Sequence, residues 1–325
     1  MDKLKYVDAE VFEQIKNYTI SAEDIYLSIA GTIGKTGFIS KELDGACLTE
    51  NACKLVLSTH VLKEYLYYYT LSDSFLEATS ENTRTAAQPK LSLKRIKTIP
   101  IPLPSIEEQK RIVAILDEAF EGLDRARTHT EANLQNAKEL FESALAVSMV
   151  GNWMEKRFDE VCVLQRGFDL PKRLRKTGKY DLVTSSGIKD THSEAKVIGP
   201  GVATGRSGSI GKVFYVQKDF WPLNTALYIK EFHGNIPKFI WYFLRHFKLN
   251  RFSSGAGVPT LNRNDVHGEL VKIPTDTTEQ QTIIDNLDLL EKTCDKLSAQ
   301  YQSKLKDLDD LRQSLLQKAF AGELT

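Results

Sequence analysis

The sequence is poor in cysteine and has no long apolar run. Its four cysteines are scattered without a C-x-x-C pair, which argues against both a zinc knuckle and a disulfide framework. No stretch reaches the ~18 consecutive apolar residues that a membrane helix needs. Residues 1–12 show no basic region followed by an apolar stretch, so no signal peptide is visible. A cytoplasmic protein without membrane contact is therefore expected.

Motifs that carry catalysis are also missing. The six histidines form no H-E-x-x-H or other metal-ligand spacing, and there is no G-x-S-x-G elbow or G-x-G-x-x-G cofactor loop. The segment 31–36 has two residues between its glycines, whereas a Walker A loop has the form G-x-x-x-x-G-K-[S/T]. An Asn/Asp-Pro-Pro-aromatic loop and a Pro-Asp…Asp/Glu-x-Lys nuclease set are absent as well. We expect a binding protein with no catalytic residue, metal or cofactor.

The chain has no net charge, because 43 basic residues balance 43 acidic ones. The charge is uneven along the chain, however. It is −1 over residues 1–104, −4 over 105–150, +9 over 151–275 and −4 over 276–325. The stretch Pro171–Lys179 alone has five basic residues in nine. A local basic patch is typical of a polyanion partner, although a solvated loop that serves solubility produces the same pattern.

What the sequence does have is an internal repeat. Gly31–Lys35 (GTIGK) matches Gly208–Lys212 (GSIGK). Further matches follow in the same order: the aromatic blocks Lys63–Tyr69 and Lys238–Leu244, the pairs Glu108-Gln109 and Glu279-Gln280, and the helix ends Leu140–Gly151 and Leu311–Gly322. The glycines predict a tight turn between two strands, and backbone N–H groups in such a turn could also hold a phosphate. The layout is globule, long helix, globule, long helix.

The two long helices have the spacing of a coiled-coil seam. Seam positions are Ile112, Leu116, Leu123 and Leu140, or Phe141 in place of Leu140, in the first helix and Leu287, Leu290, Leu297, Tyr301, Leu308, Leu311 and Leu315 in the second. A helix that is polar except for one seam needs a partner helix. The simplest partner is the other helix of the same chain, running antiparallel. Pairing with a second chain is the alternative.

Loops beside the aromatic blocks are rich in side chains that contact DNA. Arg reads guanine, Asn and Gln read adenine, and Lys and Ser position the phosphate backbone. The candidates are Lys35, Arg84, Gln88, Lys90, Arg166, Lys172, Arg173, Arg175, Lys176, Arg206, Ser207, Ser209, Lys212, Arg251, Ser253, Asn262 and Arg263. Each of them is also ordinary in a loop. Together, on a module of net charge +9, they favour double-stranded DNA as the partner.

Three segments resemble the motifs of a known family. Asp24–Ser28 with Gly31–Lys35 is similar to its G-D-I-L-x-S…G-x-x-G turn, and Ile99–Ile112 resembles its I-P-L-P-x-x-E-Q-x-x-I junction. Ser314–Leu324 is similar to its closing S-x-L-x-x-A-F-x-G-E-L. Over essentially its whole length, the chain resembles the specificity subunit of a Type I restriction-modification system.

The resemblance implies an α+β fold with two mixed α/β target-recognition domains, joined by two long helices that form an antiparallel coiled coil. The expected segments are a first domain at 1–104, a helix at 105–150, a second domain at 151–275 and a helix at 276–325. Each domain would read half of a bipartite DNA site. Two modification (methyltransferase) subunits and restriction (endonuclease/translocase) subunits would be partners, and the rod would set the spacer between half-sites. A coiled-coil scaffold without DNA reading is the alternative.

One departure from the family concerns the first domain. The second domain opens with Trp153 and Gly167, a spacing similar to the family's W…G opening. The stretch from Trp153 to Gly211 is much longer than the equivalent stretch from Met1 to Gly34. The first domain is therefore expected to be shortened at its start or completed by another polypeptide.

Overall fold

The computed structural model describes residues 4–83, 89–255, 257 and 259–324. The DNA-binding candidates Arg84 and Gln88 lie outside the described residues. The chain divides into two compact units: a first unit of Met1–Ala132 with Tyr301–Thr325, and a second unit of Asn133–Gln300. Both boundaries fall inside the long helices, so each long helix contributes to both units.

The described residues form helices and strands along the whole chain. In order they are α1 (Ala9–Ile15), β1 (Ile25–Ser28), β2 (Thr36–Gly37), β3 (Ala52–Leu55), α2 (Lys63–Thr70), α3 (Asp73–Glu81), α4 (Leu93–Ile96), α5 (Ile106–Ser148), β4 (Glu155–Arg157), α6 (Phe158–Val161), β5 (Val163–Arg166), β6 (Tyr180–Thr184), β7 (Gly187–His192), β8 (Gly201–Gly205), β9 (Val213–Val216), β10 (Phe220–Pro222), β11 (Ala226–Glu231), α7 (Pro237–Phe247), β12 (Ser253–Ser254), β13 (Thr260–Leu261), α8 (Arg263–His267), β14 (Leu270–Lys272) and α9 (Thr277–Ala321). The two long helices are α5 and α9.

The globular part of the first unit is built on a small antiparallel sheet in the order β2-β1-β3. Side chains alternate across β1, so that Ile25 and Leu27 point into the core and are fully buried. They pack with Leu66 of α2 and Phe75 of α3. The aromatic block predicted from the sequence is therefore a core helix beneath the sheet.

The second unit contains a larger version of the same arrangement. Its main sheet has the antiparallel order β5-β11-β8-β9, and β10-β6-β7 forms a second sheet in which β10 and β6 are parallel. Every residue of β8 is buried. The core beneath the main sheet combines Phe239, Ile240 and Phe243 of α7 with Phe158 of α6 and Leu164 of β5. The mixed strand and helix content agrees with the α+β class.

The repeat extends to the hydrogen-bond register of the strands. Leu27 of β1 is paired with Thr36 of β2, and Thr204 of β8 is paired with Val213 of β9. Aligning Gly31 with Gly208 places Leu27 on Thr204 and Thr36 on Val213. The same positions of the repeat are therefore paired in both units. A register shift of one residue would turn every side chain to the opposite face. The two units therefore share one strand geometry and not merely similar motifs.

The glycines of the matched pentapeptides adopt the same backbone conformation in both units. The angle φ is +73° at Gly31 and +89° at Gly34, against +83° at Gly208 and +89° at Gly211. An added Cβ would meet no atom within 4 Å at Gly31, so the requirement for glycine there comes from the left-handed backbone and not from lack of space. The segment turns the chain between two strands, as expected.

A buried glutamine at the start of each long helix has the same role in both units. Gln109 accepts a hydrogen bond from the Leu62 backbone N–H at 2.8 Å, and Gln280 accepts one from the Ile236 N–H at 2.9 Å. These N–H groups precede α2 and α7, whose first turns have no internal acceptor for them. Each glutamine also donates to a proline carbonyl, that of Pro104 or Pro274. The Glu-Gln motif is thus structural.

The equivalent caps shift the alignment of the two aromatic blocks by one residue from the alignment predicted from the sequence. Because Leu62 and Ile236 are equivalent, Tyr68 corresponds to Tyr242 and not to Phe243. Tyr242 donates from its hydroxyl to Asp288 at 2.7 Å, and Tyr68 donates to Asp117. Burial, followed by the bond to the aspartate, raises the pKa of each tyrosine. Both aromatic helices are therefore tied to a long helix by the same Tyr–Asp bond.

Replacing Gln280 with leucine should destabilise the second unit. Its amide makes three hydrogen bonds, to Ile236, Asn235 and Pro274, and its side chain is fully buried. Leucine leaves these three partners unsatisfied, which costs about 3 kcal/mol or more. Urea unfolding should show that loss for Gln280→Leu. The matched control is Gln281→Leu on the exposed face of the same helix, which should change stability by less than ~0.5 kcal/mol. Equal losses in both variants would contradict the capping role.

The long helices run antiparallel in the first unit. Arg111, near the start of α5, donates to the carbonyl of Leu324 after the end of α9 at 2.5 Å. Further along both helices, Asp124 accepts from Arg312 at 2.6 Å, and Arg127 pairs with Asp309. In the second unit, the end of α5 packs its Phe141, Leu145 and Met149 into a core that also contains Leu287 and Cys294 of α9.

The predicted seam needs correction at Leu311, and of the two alternatives Leu140 and Phe141 the structure favours Phe141. Leu140 and Leu311 are 51% and 48% exposed, and the buried residues near them are Phe141 and Leu316. The others are buried (Ile112, Leu116, Leu287) or half-buried (Leu123, Leu290, Leu297, Tyr301, Leu308, Leu315). The reason is a third helix in each core, because Leu316 packs with Tyr65 of α2 and Phe141 contacts Tyr242 of α7. A two-helix seam does not account for such packing.

Candidate nucleic-acid interface

A turn between β8 and β9 forms the centre of the candidate interface in the second unit. The Thr204 hydroxyl stabilises the conformation of the turn by donating a hydrogen bond to the Lys212 carbonyl at 2.8 Å. On the adjacent side, the Gly208 N–H donates to the Pro259 carbonyl at 3.0 Å, and Ser207 forms a bridge with Thr260. The turn is therefore fixed against Pro259 and Thr260 at the start of β13.

The Lys212 side chain is exposed at the end of this turn, and Ser207 and Ser209 are partly exposed within it. Ser253, on the neighbouring strand β12, is also exposed. These hydroxyl and ammonium groups are the kinds that position a DNA backbone. The structure thus brings together four candidates from two separate stretches of the sequence.

Arg206 and Arg166 are anchored beside the turn by a polar network. Arg206 is half-buried and donates to the Asn224 carbonyl at 2.8 Å. The Asn224 amide donates to Asp169, which forms an ion pair with Arg166 at 3.0 Å. Asp169 offsets part of the positive charge at this place. Arg166 is exposed and Arg206 is half-buried, and the role of both in base reading stays a prediction.

The basic stretch after β5 presents most of its charge to solvent. Lys172 and Arg173 lie on a single 3-10 turn and are exposed, as is Lys176. Arg175 differs, since it is half-buried and donates to the Leu170 carbonyl at 3.3 Å. The Lys176 backbone N–H is fixed by His192 at 3.1 Å. Three of the four predicted DNA-binding candidates in this stretch are thus available to a polyanion.

The candidates near the end of the second domain have structural contacts of their own. The Arg251 guanidinium lies 4.3 Å from the ring centre of Phe247 and 3.4 Å from Glu269. Asn262 caps α8 by accepting from the Asn264 N–H at 3.1 Å. Arg263 is half-buried, with 3.5 Å between its guanidinium and the Leu164 carbonyl. Each of the three residues thus has a structural contact, and its role in DNA binding stays a prediction.

The first unit places two of its candidates around the equivalent turn. Lys35 is exposed at the position that Lys212 occupies in the second unit. Lys90 is also exposed, and its backbone forms a bridge with Ala30 just before Gly31. Lys35 and Lys90 therefore lie on either side of the first turn.

Two residues that shape the interface were not predicted from the sequence. Ser185, in the turn between β6 and β7, donates from its backbone N–H to the Thr225 hydroxyl at 3.4 Å, next to the β8–β9 turn. Asn224 links the two arginines described above. The Ser-Ser-Gly sequence at 185–187 is typical of a turn and could have been predicted as one. The role of Asn224 depends on tertiary contacts and could not.

The described residues show neither a metal site nor a membrane helix. No three His, Cys, Asp or Glu side chains among them gather as metal ligands would. None of their helices combines the length and apolar content needed to cross a bilayer. A repeated α+β domain, a pair of antiparallel long helices and a basic cluster of loops define a class of nucleic-acid recognition protein.

Comparison with known proteins identifies the family within this class. The family model for the Type I restriction modification DNA specificity domain matches residues 5–135 and again residues 151–307. The chain belongs to this family. It is a non-catalytic DNA sequence-specificity subunit, and the two matches coincide with the two copies of the repeat.

Two curated relatives extend over most of the chain. It is 23% identical over 363 aligned positions to the Type I restriction enzyme EcoBI specificity subunit of Escherichia coli, covering 95% of this chain and 75% of that protein. It is 22% identical to the Type I restriction enzyme MjaIX specificity subunit of Methanocaldococcus jannaschii, covering 81% and 69%.

Solved structures show the same fold. A chain from a study of complex assembly and conformational transition of the type I R-M system superposes with a TM-score of 0.82 at 18% identity, covering 94% of this chain and 83% of that one. The HsdS subunit from Thermoanaerobacter tengcongensis gives a TM-score of 0.61 at 18% identity, with coverages of 94% and 82%.

Proposed function

We propose that this subunit reads a bipartite DNA site, and that the second target-recognition domain reads one half of it through the β8–β9 turn and the neighbouring loops. The observation that carries the proposal is the contact of the β8–β9 turn with Pro259 and Thr260 at the start of β13, which pairs with β12. This contact gathers Lys212, Ser207, Ser209 and Ser253 in a segment of net charge +9.

The charge distribution supports a division of work inside this domain. Lys172, Arg173 and Lys176 are exposed and suit phosphate contacts, which give affinity without sequence information. The shorter side chains of the turn suit close approach to a groove. Arg206 and Arg166 are held in the polar network and support the loops from behind.

The first domain would take the other half-site through Lys35 and Lys90, with Arg84 and Gln88 as further candidates. In this proposal the half-sites are read by segments 1–104 and 151–275. The spacer between the half-sites is set by the helices at 105–150 and 276–325. Two modification subunits and the restriction subunits would assemble with it in the cytoplasm.

Alanine substitutions at the two equivalent lysines test which domain contributes to binding by the isolated chain. Each phosphate contact adds about 0.9 to the slope of log affinity against log salt. Lys212→Ala should lower that slope by about this amount and weaken affinity about fivefold at physiological salt. Lys35→Ala, at the matching position of the near-neutral first domain, should have the smaller effect.

The measurement is fluorescence anisotropy with labelled duplex DNA over a salt series. Equal effects of the two substitutions would assign the turn contacts to both domains alike. No measurable change for Lys212→Ala would contradict a role of the turn in DNA binding. DNA affinity that does not fall with salt would favour a protein-binding scaffold over a DNA reader.

A further inference from the structure

The second unit closes its core with a strand–helix–strand segment, Glu155–Arg166. At one end, β4 pairs with β14, where Lys156 lies opposite Val271. At the other end, β5 pairs with β11, where Gln165 lies opposite Tyr228. Between the strands, α6 places Phe158 and Val161 in the core with no exposed surface. The segment thus covers the core above α7 and is paired with a strand at each of its ends.

In the first unit, the strand equivalent to β11 is a sheet edge. Cys53 of β3 is paired with Leu27 as Leu227 of β11 is paired with Thr204, so Lys54 corresponds to Tyr228. Among the described residues, β3 has β1 as its strand partner and nothing beyond it. All four residues of β3 are half-exposed, whereas Ala226–Ile229 of β11 are buried. Backbone groups along an open edge are a template for another strand.

The stretch before each long helix can be aligned through its proline. Pro104 and Pro274 each accept a hydrogen bond from the glutamine that caps the aromatic helix. The residues that precede these prolines, Leu103 and Ile273, are therefore equivalent. Two residues earlier in each chain segment, Ile101 corresponds to Val271 in the same way.

In the first unit this stretch is uncovered. Leu103 is 55% exposed and Ile101 is 38% exposed, while Ile273 and Val271 are 2% and 6% exposed. In the second unit β4 pairs with β14, which contains Val271. Two apolar side chains of the first unit therefore lack the cover that their counterparts have.

An open apolar groove lies between the edge strand and this uncovered stretch. Its volume is about 1060 Å³, and all of its lining residues belong to the first unit. Cys53 and Leu55 of β3 form one wall, Ile101 and Leu103 form the other, and Leu66 of α2 contributes to the lining. The groove therefore occupies the place that Phe158, Val161 and Leu164 fill in the second unit.

We propose that this groove receives a strand–helix–strand segment of a second polypeptide, with the chemistry of Glu155–Arg166. The incoming strand pairs with the outer edge of β3 and its apolar side chains fill the groove. Four apolar residues of segment 155–166 of this chain are already buried in the core of the second unit, namely Phe158, Val161, Cys162 and Leu164. A different stretch of polypeptide with the same pattern is therefore the occupant.

A second copy of this chain, paired edge to edge through β3, fits the groove less well. Such pairing would satisfy the backbone of β3 but would leave Ile101 and Leu103 uncovered on the opposite wall. A segment with a helical turn between two strands covers both walls, as Glu155–Arg166 does in the second unit.

The charges around the groove also fit such a segment. Lys54, Lys90 and Lys97 line it, against one acidic residue, Glu50, among the described residues. The segment Glu155–Arg166 of the second unit has three acidic and three basic residues, and its Asp159 and Glu160 lie together at the start of its helix. An incoming peptide with carboxylates in this turn would meet lysines, which adds charge complementarity to apolar burial.

The backbone of Lys54 offers a selective way to block the incoming strand. In an antiparallel ladder, successive residues point their N–H groups to opposite sides. The Ile29 N–H donates to the Asn51 carbonyl, so the backbone N–H groups of Cys53 and Leu55 point toward β1. The backbone N–H of Lys54 therefore points toward the open edge. Proline is tolerated in an edge strand where the lost N–H points outward. Lys54→Pro should thus leave the β1–β3 ladder in place and remove one bond to the incoming strand.

The test is binding of a fluorescent peptide with the sequence of residues 152–168 to the full chain, followed by anisotropy without DNA. We expect saturable binding, weakened about tenfold by Lys54→Pro because a backbone hydrogen bond and the strand fit are lost. Lys54→Ala is the matched control, since it removes the ammonium bond to the Thr19 carbonyl but keeps the N–H. It should bind within about twofold of the parent.

A second variant guards against misfolding of the proline substitution. Leu103→Asp alters an exposed side chain on the other wall and leaves β3 unchanged, and it should also weaken peptide binding about tenfold. A peptide carrying Leu164→Asp should bind as poorly to the parent chain. Hydrogen exchange should show protection of the Lys54 amide when the peptide is bound.

Three results would overturn the proposal. Absence of saturable binding would show that the groove does not take such a segment. Binding that both Lys54→Pro and Leu103→Asp leave unchanged would place the peptide elsewhere. A dimer of the chain that Lys54→Pro dissociates, measured by light scattering, would identify a second copy as the occupant.

Discussion

Reversing the charges of Lys172, Arg173 and Lys176 to glutamate should abolish most of the DNA affinity of the isolated subunit. All three side chains are exposed on one short segment. If each contacts a phosphate, the slope of log affinity against log salt falls by about 2.7, and affinity at physiological salt falls about a hundredfold. The new carboxylates add repulsion to this loss. Anisotropy over a salt series measures both quantities.

The matched control keeps the same change in net charge. Lys230, Lys272 and Lys292 are also exposed and belong to the second unit, but they lie outside the proposed interface. Their reversal should reduce affinity by less than about tenfold through long-range charge alone. Arg175 is left intact in both triple variants because its guanidinium holds the Leu170 carbonyl. Equal losses in the two triple variants would mean that binding depends on total charge and not on this segment.

Adding one heptad to both long helices should change the DNA site that is recognised. Seven residues lengthen a helix by about 10 Å, close to three base-pair steps of ~3.4 Å. Insertions after Ala132 and after Gln300, at the boundaries of the two units, keep the apolar seam in phase. If the helices set the spacer, the methylated site should keep both specified blocks and gain about three unspecified base pairs.

The control for this experiment is a heptad added to α9 alone. The two long helices would then differ in length between the units, and recognition should fail without a new site appearing. A doubly extended subunit that methylates the original site unchanged would show that the spacer does not depend on helix length.

The repeat and the long helices could be predicted from the sequence because their signals are local. Glycine at Gly31, Gly34, Gly208 and Gly211 is required by a left-handed backbone. The apolar periodicity of α5 and α9 is visible over many turns. The Glu-Gln pairs were recognisable as a motif, but their structural meaning, a cap on a helix distant in sequence, emerges only from the tertiary contacts of Gln109 and Gln280.

The individual site residues were harder to predict, because their roles depend on neighbours brought together by folding. Arg251 stacks on Phe247, and Asn262 caps α8, although both have side chains typical of base reading. The sequence left Leu140 and Phe141 as alternatives for one seam position, and the packing of α7 makes Phe141 the buried one. A shortened first domain stays a prediction from the sequence, whereas the groove in that domain is visible only in three dimensions.

Single-molecule methylome sequencing of cells that carry this subunit with its modification subunit tests the central claim most directly. We predict one methylated motif of two specified blocks separated by a fixed unspecified spacer. One of these blocks should lose its specificity when the β8–β9 turn of the second domain is altered. A continuous motif, or a two-block motif that does not respond to changes in that turn, would contradict it.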